Sequence, residues 1–196
     1  MNHFNEMANK WDTPEKVEKF KILANKIKTQ LGSFSYQSVM DLGCGTGLLG
    51  LEFVDENISL LGLDTSEGML HVFAQKTLDY PQIESLLLNL EEQTIDKKFD
   101  LIVSSMAFHH LTNPATMIRK LKGMLNKGGK LAIVDLDEED GSFHPDPANM
   151  GVKHFGFSKN ILEKWAQDNQ FDLDHSIINT VEKNSRTYDQ FLAIFS

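Results

Sequence analysis

Val39-Met40-Asp41-Leu42-Gly43-Cys44-Gly45-Thr46-Gly47 sets the architecture of the chain. A hydrophobic run ends in an acid and then in three glycines at alternate positions, before the apolar segment LLGLEF. Alternating glycines let the backbone turn tightly and leave room for a ligand to lie against main-chain N–H groups. The stretch therefore predicts strand, turn and helix, with the turn as a cofactor cradle. A glycine-rich turn alone is weak evidence, and the next apolar run strengthens it. SLLGLD ends at Asp64, 17 positions beyond Gly47. An acid at the tip of the second strand can accept both ribose hydroxyls of an adenosine, so the pair selects an adenosine-containing cofactor.

Outward from this pair, short apolar runs alternate with helical stretches. SVMDLG, SLLGLD, IESLLLN, FDLIVSS and KLAIVDL read as buried parallel strands. Ser66 opens the helix EGMLHVFAQ, Asn113-Pro114 opens ATMIRKLKGML, and Ser158 opens KNILEKWAQDN, each with a capping side chain. Gly128-Gly129 is expected to close the Asn113 helix and turn the chain into the fifth strand. HSIINTVEK and YDQFLAIFS, separated by the polar NSRT, read as a terminal antiparallel hairpin. The expected architecture is α/β: a Rossmann-like, doubly wound sheet of about seven strands, mostly parallel with a C-terminal antiparallel hairpin.

Residues 1–35 lack strand patterning. Asp12-Thr13-Pro14-Glu15 supplies caps and a first-turn proline, and Val17, Phe20, Ile22, Leu23, Ile27 and Leu31 then recur at helical spacing. Residues 1–35 are thus expected to form a helical extension capping one core, built by residues 36–196. A formal net charge of −9 spreads along the chain and repels polyanions, which argues against nucleic acid as partner. The single cysteine, Cys44, excludes an internal disulfide and cysteine-built metal or iron–sulfur sites, and fits a reducing cytoplasm. No apolar run reaches the roughly 20 residues that span a bilayer, and the N-terminal MNHFNEMANKWD is too polar for a signal peptide. A monomer or a homodimer is expected, because an interface looks like any other apolar face.

Taken together, these stretches resemble the class I S-adenosylmethionine-dependent methyltransferases of the small-molecule type, from Val39 to the C-terminus. DLGCGTG is similar to the family's first motif, GLDTSEGML to its second and SLLLNLEE to its adenine-contacting strand end. FDLIVSSMAFHHL is similar to its fourth motif and LNKGGKLAIVDL to the glycine-led strand that follows. The resemblance implies S-adenosylmethionine as cofactor and S-adenosylhomocysteine as product. It implies that Asp41, Gly43, Cys44, Gly45 and Gly47 surround the methionine portion, that Asp64 holds the ribose, and that Thr65 and Met69 flank the adenosine. Asn89 and Leu90 fall at the adenine edge, where asparagine departs from the family's usual acid. Ser104, Ser105 and Met106 fall where the backbone meets the cofactor's amino group. Trp11, with Phe4, could fold over the site, and Phe143, Phe155 and Phe157 could wall an acceptor pocket.

Methyl transfer from a sulfonium is an in-line displacement, so the protein chiefly aligns the acceptor and excludes water. If the acceptor must lose a proton, a base should stand near the carboxyl ends of the fourth and fifth strands. The candidates are His109, His110, Asp135, Asp137, Glu138 and His144, with His110 and His144 foremost because imidazole titrates near neutral pH. DLDEEDGSFH reads as a solvated acidic loop in preference to a metal site, since adjacent acids cannot all point inward. A nicotinamide dehydrogenase would show G-x-G-x-x-G in place of Gly43-Cys44-Gly45-Thr46-Gly47. Radical or arsenite chemistry lacks its cysteines, and SSMAF is not the Asn/Asp-Pro-Pro-Tyr element of amide methylation. A small-molecule substrate is expected, with a non-catalytic cofactor-binding or sensing module as the alternative.

Overall fold

The structure, a computed structural model, describes residues 3–183 and 185–196 of the chain. Helix α1 spans His3–Met7 and, after a 3-10 turn over Ala8–Lys10, α2 spans Pro14–Leu31. The Thr13 side chain accepts the Lys16 N–H, and Pro14 occupies the first turn, where its missing N–H costs nothing. Strand β1 (Ser38–Leu42) leads through the glycine turn to β2 (Ser59–Asp64), then α3 (Glu67–Lys76) and β3 (Ile83–Leu87). Strand β4 (Phe99–Ser105), α4 (Pro114–Gly123), β5 (Leu125–Leu136), α5 (Lys159–Asn169), β6 (Leu173–Lys183) and β7 (Arg186–Phe195) complete the chain.

The seven strands form one sheet in the order β3-β2-β1-β4-β5-β7-β6. Strands β1 to β5 pair in parallel, while β7 is antiparallel to both β5 and β6, so the terminal hairpin is present as expected. The order reverses between β1 and β4, which opens a crevice at their carboxyl ends where α/β sheets bind ligands. Successive side chains on a strand face opposite ways, and the core is accordingly double. Met40, Leu61, Leu63, Ile102, Leu131 and Ile133 pack beneath α4 and α5. Val39, Leu60, Leu101, Val103, Ala132 and Val134 pack beneath α2 and α3.

Several local expectations are corrected. LLGLEF does not make a helix. Only Gly50–Phe53 forms a 3-10 turn, because the Asp41 carboxylate takes the Gly50 N–H and draws the chain back under β1. Gly128-Gly129 does not close α4, which ends at Gly123. The pair lies inside β5, where the register with β4 slips between Phe99 and Leu101 and Gly128 adopts φ 77°. IESLLLN is only partly buried: β3 is an edge strand with Leu86 and Leu87 exposed, while Leu88 just past it enters the core. Ser66 and Asn113 cap their helices, whereas the Ser158 hydroxyl makes no cap hydrogen bond. On α2, Val17 and Ile22 face solvent while Ala24, Ile27 and Leu31 are buried.

Candidate active site

The glycine turn hangs from the end of β2. The N–H groups of Gly43 and Cys44 both donate to the Leu63 carbonyl, at 2.8 and 3.0 Å. Gly43, Gly45 and Gly47 all have positive φ, and a Cβ at Gly43 would meet Ala107 Cβ at 2.5 Å. A Cβ at Gly47 would meet the Phe73 ring at 2.7 Å. These two glycines are therefore required by close packing as well as by conformation. Gly45 is different, since the nearest atom to its missing Cβ is Met69 Sδ at 3.9 Å. Gly45 also donates its N–H to Asp64 Oδ2 at 2.8 Å, which brings that side chain to the turn.

Asp64 also accepts the Ser66 N–H at 2.8 Å on Oδ1. Two bonds leave roughly half of a carboxylate's four acceptor positions for a ligand. Burial pushes its carboxyl above the ordinary range, against the pull of those backbone donors. Asp41 is buried more deeply, 1% exposed, and desolvation raises its carboxyl to about 7. Its side chain serves the Gly50 N–H at 2.9 Å, beneath the turn. Burial likewise pushes the Cys44 thiol well up.

The other residues singled out in the sequence take distinct places. Met69 is buried beside Gly45, and Thr65 is exposed on the rim. The backbone carries the chain from Asp64 to the next strand end, where Leu88 donates to the Asp64 carbonyl. There Asn89 caps its own turn by accepting the Glu91 N–H, and Leu90 belongs to the core. Ser104 is buried and ties β4 to β1 through the Leu42 carbonyl at 2.8 Å. Ser105 Oγ, at the tip of β4, is buried without a partner. Met106 follows it at φ 56°, an unusual conformation for a side-chain-bearing residue, of the kind that gathers at functional sites.

The N-terminal segment reaches this crevice. Asn5 Oδ1 accepts from the Ser66 hydroxyl at 2.6 Å and from the Gly68 N–H at 3.0 Å, at the start of α3. Asp12 binds Thr46 of the glycine turn and Lys76 of α3. Phe4 packs edge-on against Trp11 and against His110, with centroids 5.9 and 5.5 Å away. Neither Asn5 nor Asp12 was singled out in the sequence, because a short polar side chain in a polar segment gives no sign of a partner some 34 to 64 positions away.

Past the ends of β4 and β5 three imidazoles gather. His109 is 1% exposed, its Nδ1 lying 2.7 Å from Asp135 Oδ1, and its backbone N–H donates to Asp135 Oδ2 at 3.2 Å. The His110 and His144 rings lie 4.1 and 5.0 Å from that of His109. Desolvation, followed by the neighbouring His109, lowers both His110 and His144 to about 4, so each is neutral at neutral pH. Phe143 packs on His144 and Tyr188, whereas Phe155 is exposed and Phe157 packs on Trp165 in the core. In the acidic loop, Glu139 accepts the N–H groups of Gly141 and Phe143, and Asp140 binds Arg186. No group of three or more acids, cysteines and histidines placed to hold a metal occurs among the described residues.

With this geometry in view, the comparisons with known proteins agree. A family model described as a methyltransferase domain matches residues 40–131, from β1 into β5. An uncharacterised methyltransferase of Schizosaccharomyces pombe is 26% identical over 205 residues, covering 80% of this chain and 72% of its own. A malonyl-[acyl-carrier protein] O-methyltransferase of Acetivibrio thermocellus is 29% identical over 135 residues, covering 67% of this chain. The match spans about half of that relative, 47% of its length. A solved S-adenosylmethionine-dependent methyltransferase from Aquifex aeolicus superposes with a TM-score of 0.69 at 22% identity, over 98% of both chains. Residues 40–131 thus match a methyltransferase domain, and the seven-stranded sheet with its reversed last strand is the fold of S-adenosylmethionine-dependent methyltransferases.

Proposed function

We propose that this chain moves a methyl group to a protic small-molecule acceptor, bound between the N-terminal segment and the ends of β4 and β5. The observation that carries the reading is that the N-terminal segment bridges two half-sites, Asn5 binding Ser66 and Gly68 just past Asp64 while Phe4 packs on His110. One is the Gly45–Asp64 cradle, and the other is the neutral imidazoles His110 and His144. S-adenosylmethionine supplies an electrophilic methyl on a sulfonium, which makes transfer an in-line displacement.

This chain's residues fit that cofactor. Asp64 has acceptor capacity left for two ribose hydroxyls, and Gly45 presents an open face. The orphaned Ser105 hydroxyl stands at the end of β4 to meet the amino group of the methionine portion. Gly43, Cys44 and Gly47 shape the turn, Met69 and Thr65 flank the adenosine, and Asn89 and Leu90 close the adenine edge. Trp11 and Phe4, tied down through Asn5 and Asp12, cover the crevice and exclude water. A neutral imidazole then takes the acceptor's proton as its oxygen or nitrogen attacks. Oxygen is favoured by the O-methylating relative.

The test is transfer of labelled methyl from S-adenosylmethionine to pools of phenols, carboxylic acids and amines. A labelled small-molecule product is expected. Tight cofactor binding with no transfer to any pool would instead support a sensing module.

A further inference from the structure

Two buried imidazole nitrogens on the acceptor side have no hydrogen-bond partner: Nε2 of His109 and Nδ1 of His144. They belong to neighbouring rings, with centroids 5.0 Å apart and planes 42° from parallel, and exposures of 1% and 9%. Orphaned polar atoms in such sites call for an explanation. The other nitrogen of His109 is accounted for, because Nδ1 contacts Asp135 Oδ1. Asp135 also accepts the N–H groups of His109 and Leu136. A carboxylate only accepts, so the shared proton sits on His109 Nδ1 and leaves a lone pair on Nε2. A proton on His144 Nδ1, shared with that lone pair through one bridging water, satisfies both orphans at once. It also leaves His144 Nε2 bare.

We propose that Asp135, His109 and His144 form a proton relay in which His144 Nε2 is the base for the acceptor. His109 is then a positioning residue that fixes the His144 tautomer. This deepens the acceptor-site reading above and rests on it. The groups around the relay agree with a neutral base. The His110 ring lies tilted against that of His109, while burial and the Lys183 cation over the neighbouring Phe143 ring disfavour a charged His144. Lys153 acts likewise on His110.

In the reaction the acceptor O–H bond breaks and its proton goes to His144 Nε2. The electron pair left on oxygen forms the bond to the methyl carbon, and the carbon–sulfur pair departs with sulfur. The proton on His144 Nδ1 passes through the bridging water to His109 Nε2, so the positive charge comes to rest beside the Asp135 carboxylate. The relay therefore suits a protic acceptor, such as a phenol or a carboxylic acid, and is idle for one with no proton to lose.

The test needs no acceptor. Protein labelled with nitrogen-15 histidine is examined by NMR at neutral pH, where long-range proton–nitrogen couplings report each tautomer. Both His109 and His144 are expected as Nδ1–H. In His109→Leu the His144 signal is expected to change to Nε2–H, and Asp135→Asn should reverse both rings, since an amide can donate where the carboxylate accepted. A His144 already Nε2–H in the unmodified protein would overturn the relay, whether or not the variants fold. So would an unchanged His144 tautomer in a His109→Leu protein with native melting behaviour. Cofactor binding, read separately by calorimetry, tells failure of the relay from failure of the methyltransferase reading.

Discussion

At the scale of single residues, Asp41 and the histidines His110 and His144 pull stability in opposite directions with pH. The Asp41 carboxyl rises from 3.8 to about 7, so the folded state binds this proton more tightly than the unfolded chain. Its contribution is complete below about pH 4 and is lost as pH rises through about 7, up to about 4 kcal/mol for the full shift. Asp41→Asn keeps an oxygen for the Gly50 N–H and removes the titration. Its melting temperature should therefore fall less between pH 4 and 8 than that of the parent, and parallel curves would count against the buried acid. His110 and His144 drop from 6.5 to about 4, so what they contribute is present above pH 6.5 and lost as pH falls towards 4. His144→Phe should flatten that acid limb. Gly47→Ala should destabilise the fold by about 1–3 kcal/mol through its φ of 88° alone, with a further loss from the Phe73 contact. Denaturant melts would read it, and a neutral result would mean that the turn relaxes.

Among elements, the N-terminal segment is the one whose attachment is most local. Asn5 to Ser66 and Gly68, and Asp12 to Thr46 and Lys76, pin it across the start of α3 and the glycine turn. An Asn5→Ala, Asp12→Ala double variant should be cleaved faster by protease between residues 3 and 13, with the melting of the sheet core nearly unchanged. Equal cleavage rates with and without the two side chains would remove the strap. Thr13→Ala should cost about 1 kcal/mol through the lost cap of α2, read in the same denaturant melts. Elements were legible in unequal measure. The apolar runs of β1, β2, β4 and β5 announce buried parallel strands, and Ser66 and Asn113 announce their helices. LLGLEF misleads because its leucine and phenylalanine spacing suits a helix, while the Asp41 bond that bends it is a tertiary contact. Gly128 looks like a helix end because helix ends and strand irregularities both need positive φ, and sequence does not tell the two apart.

For the whole molecule, the crevice follows from topology: strand order reverses between β1 and β4, and every candidate cofactor residue from Asp41 to Ser105 lies at or near the carboxyl ends of the parallel strands. That half of the site could be read from one glycine turn and one acid at a fixed spacing, because local chain geometry dictates both. The acceptor half could not. His109 and Asp135 are separated by 26 positions, and what joins them is the parallel pairing of β4 with β5. The histidine pair is visible in sequence, but which ring is buried against the acid is decided only by packing. No helix among the described residues is long and apolar enough to cross a membrane. The net charge of −9 leaves anionic polymers poor partners, so added DNA or RNA should not retard the protein at physiological salt.

Calorimetric titration decides whether Asp64 and the glycine turn hold S-adenosylmethionine. The parent protein and Asp64→Ala, each confirmed as folded by its melting curve, are titrated with S-adenosylmethionine and S-adenosylhomocysteine. Binding of both ligands by the parent is expected, with a loss of at least about tenfold in the variant from the missing ribose contacts. Equal affinity in the two proteins, or no binding by the folded parent, would contradict this role for Asp64 and the turn.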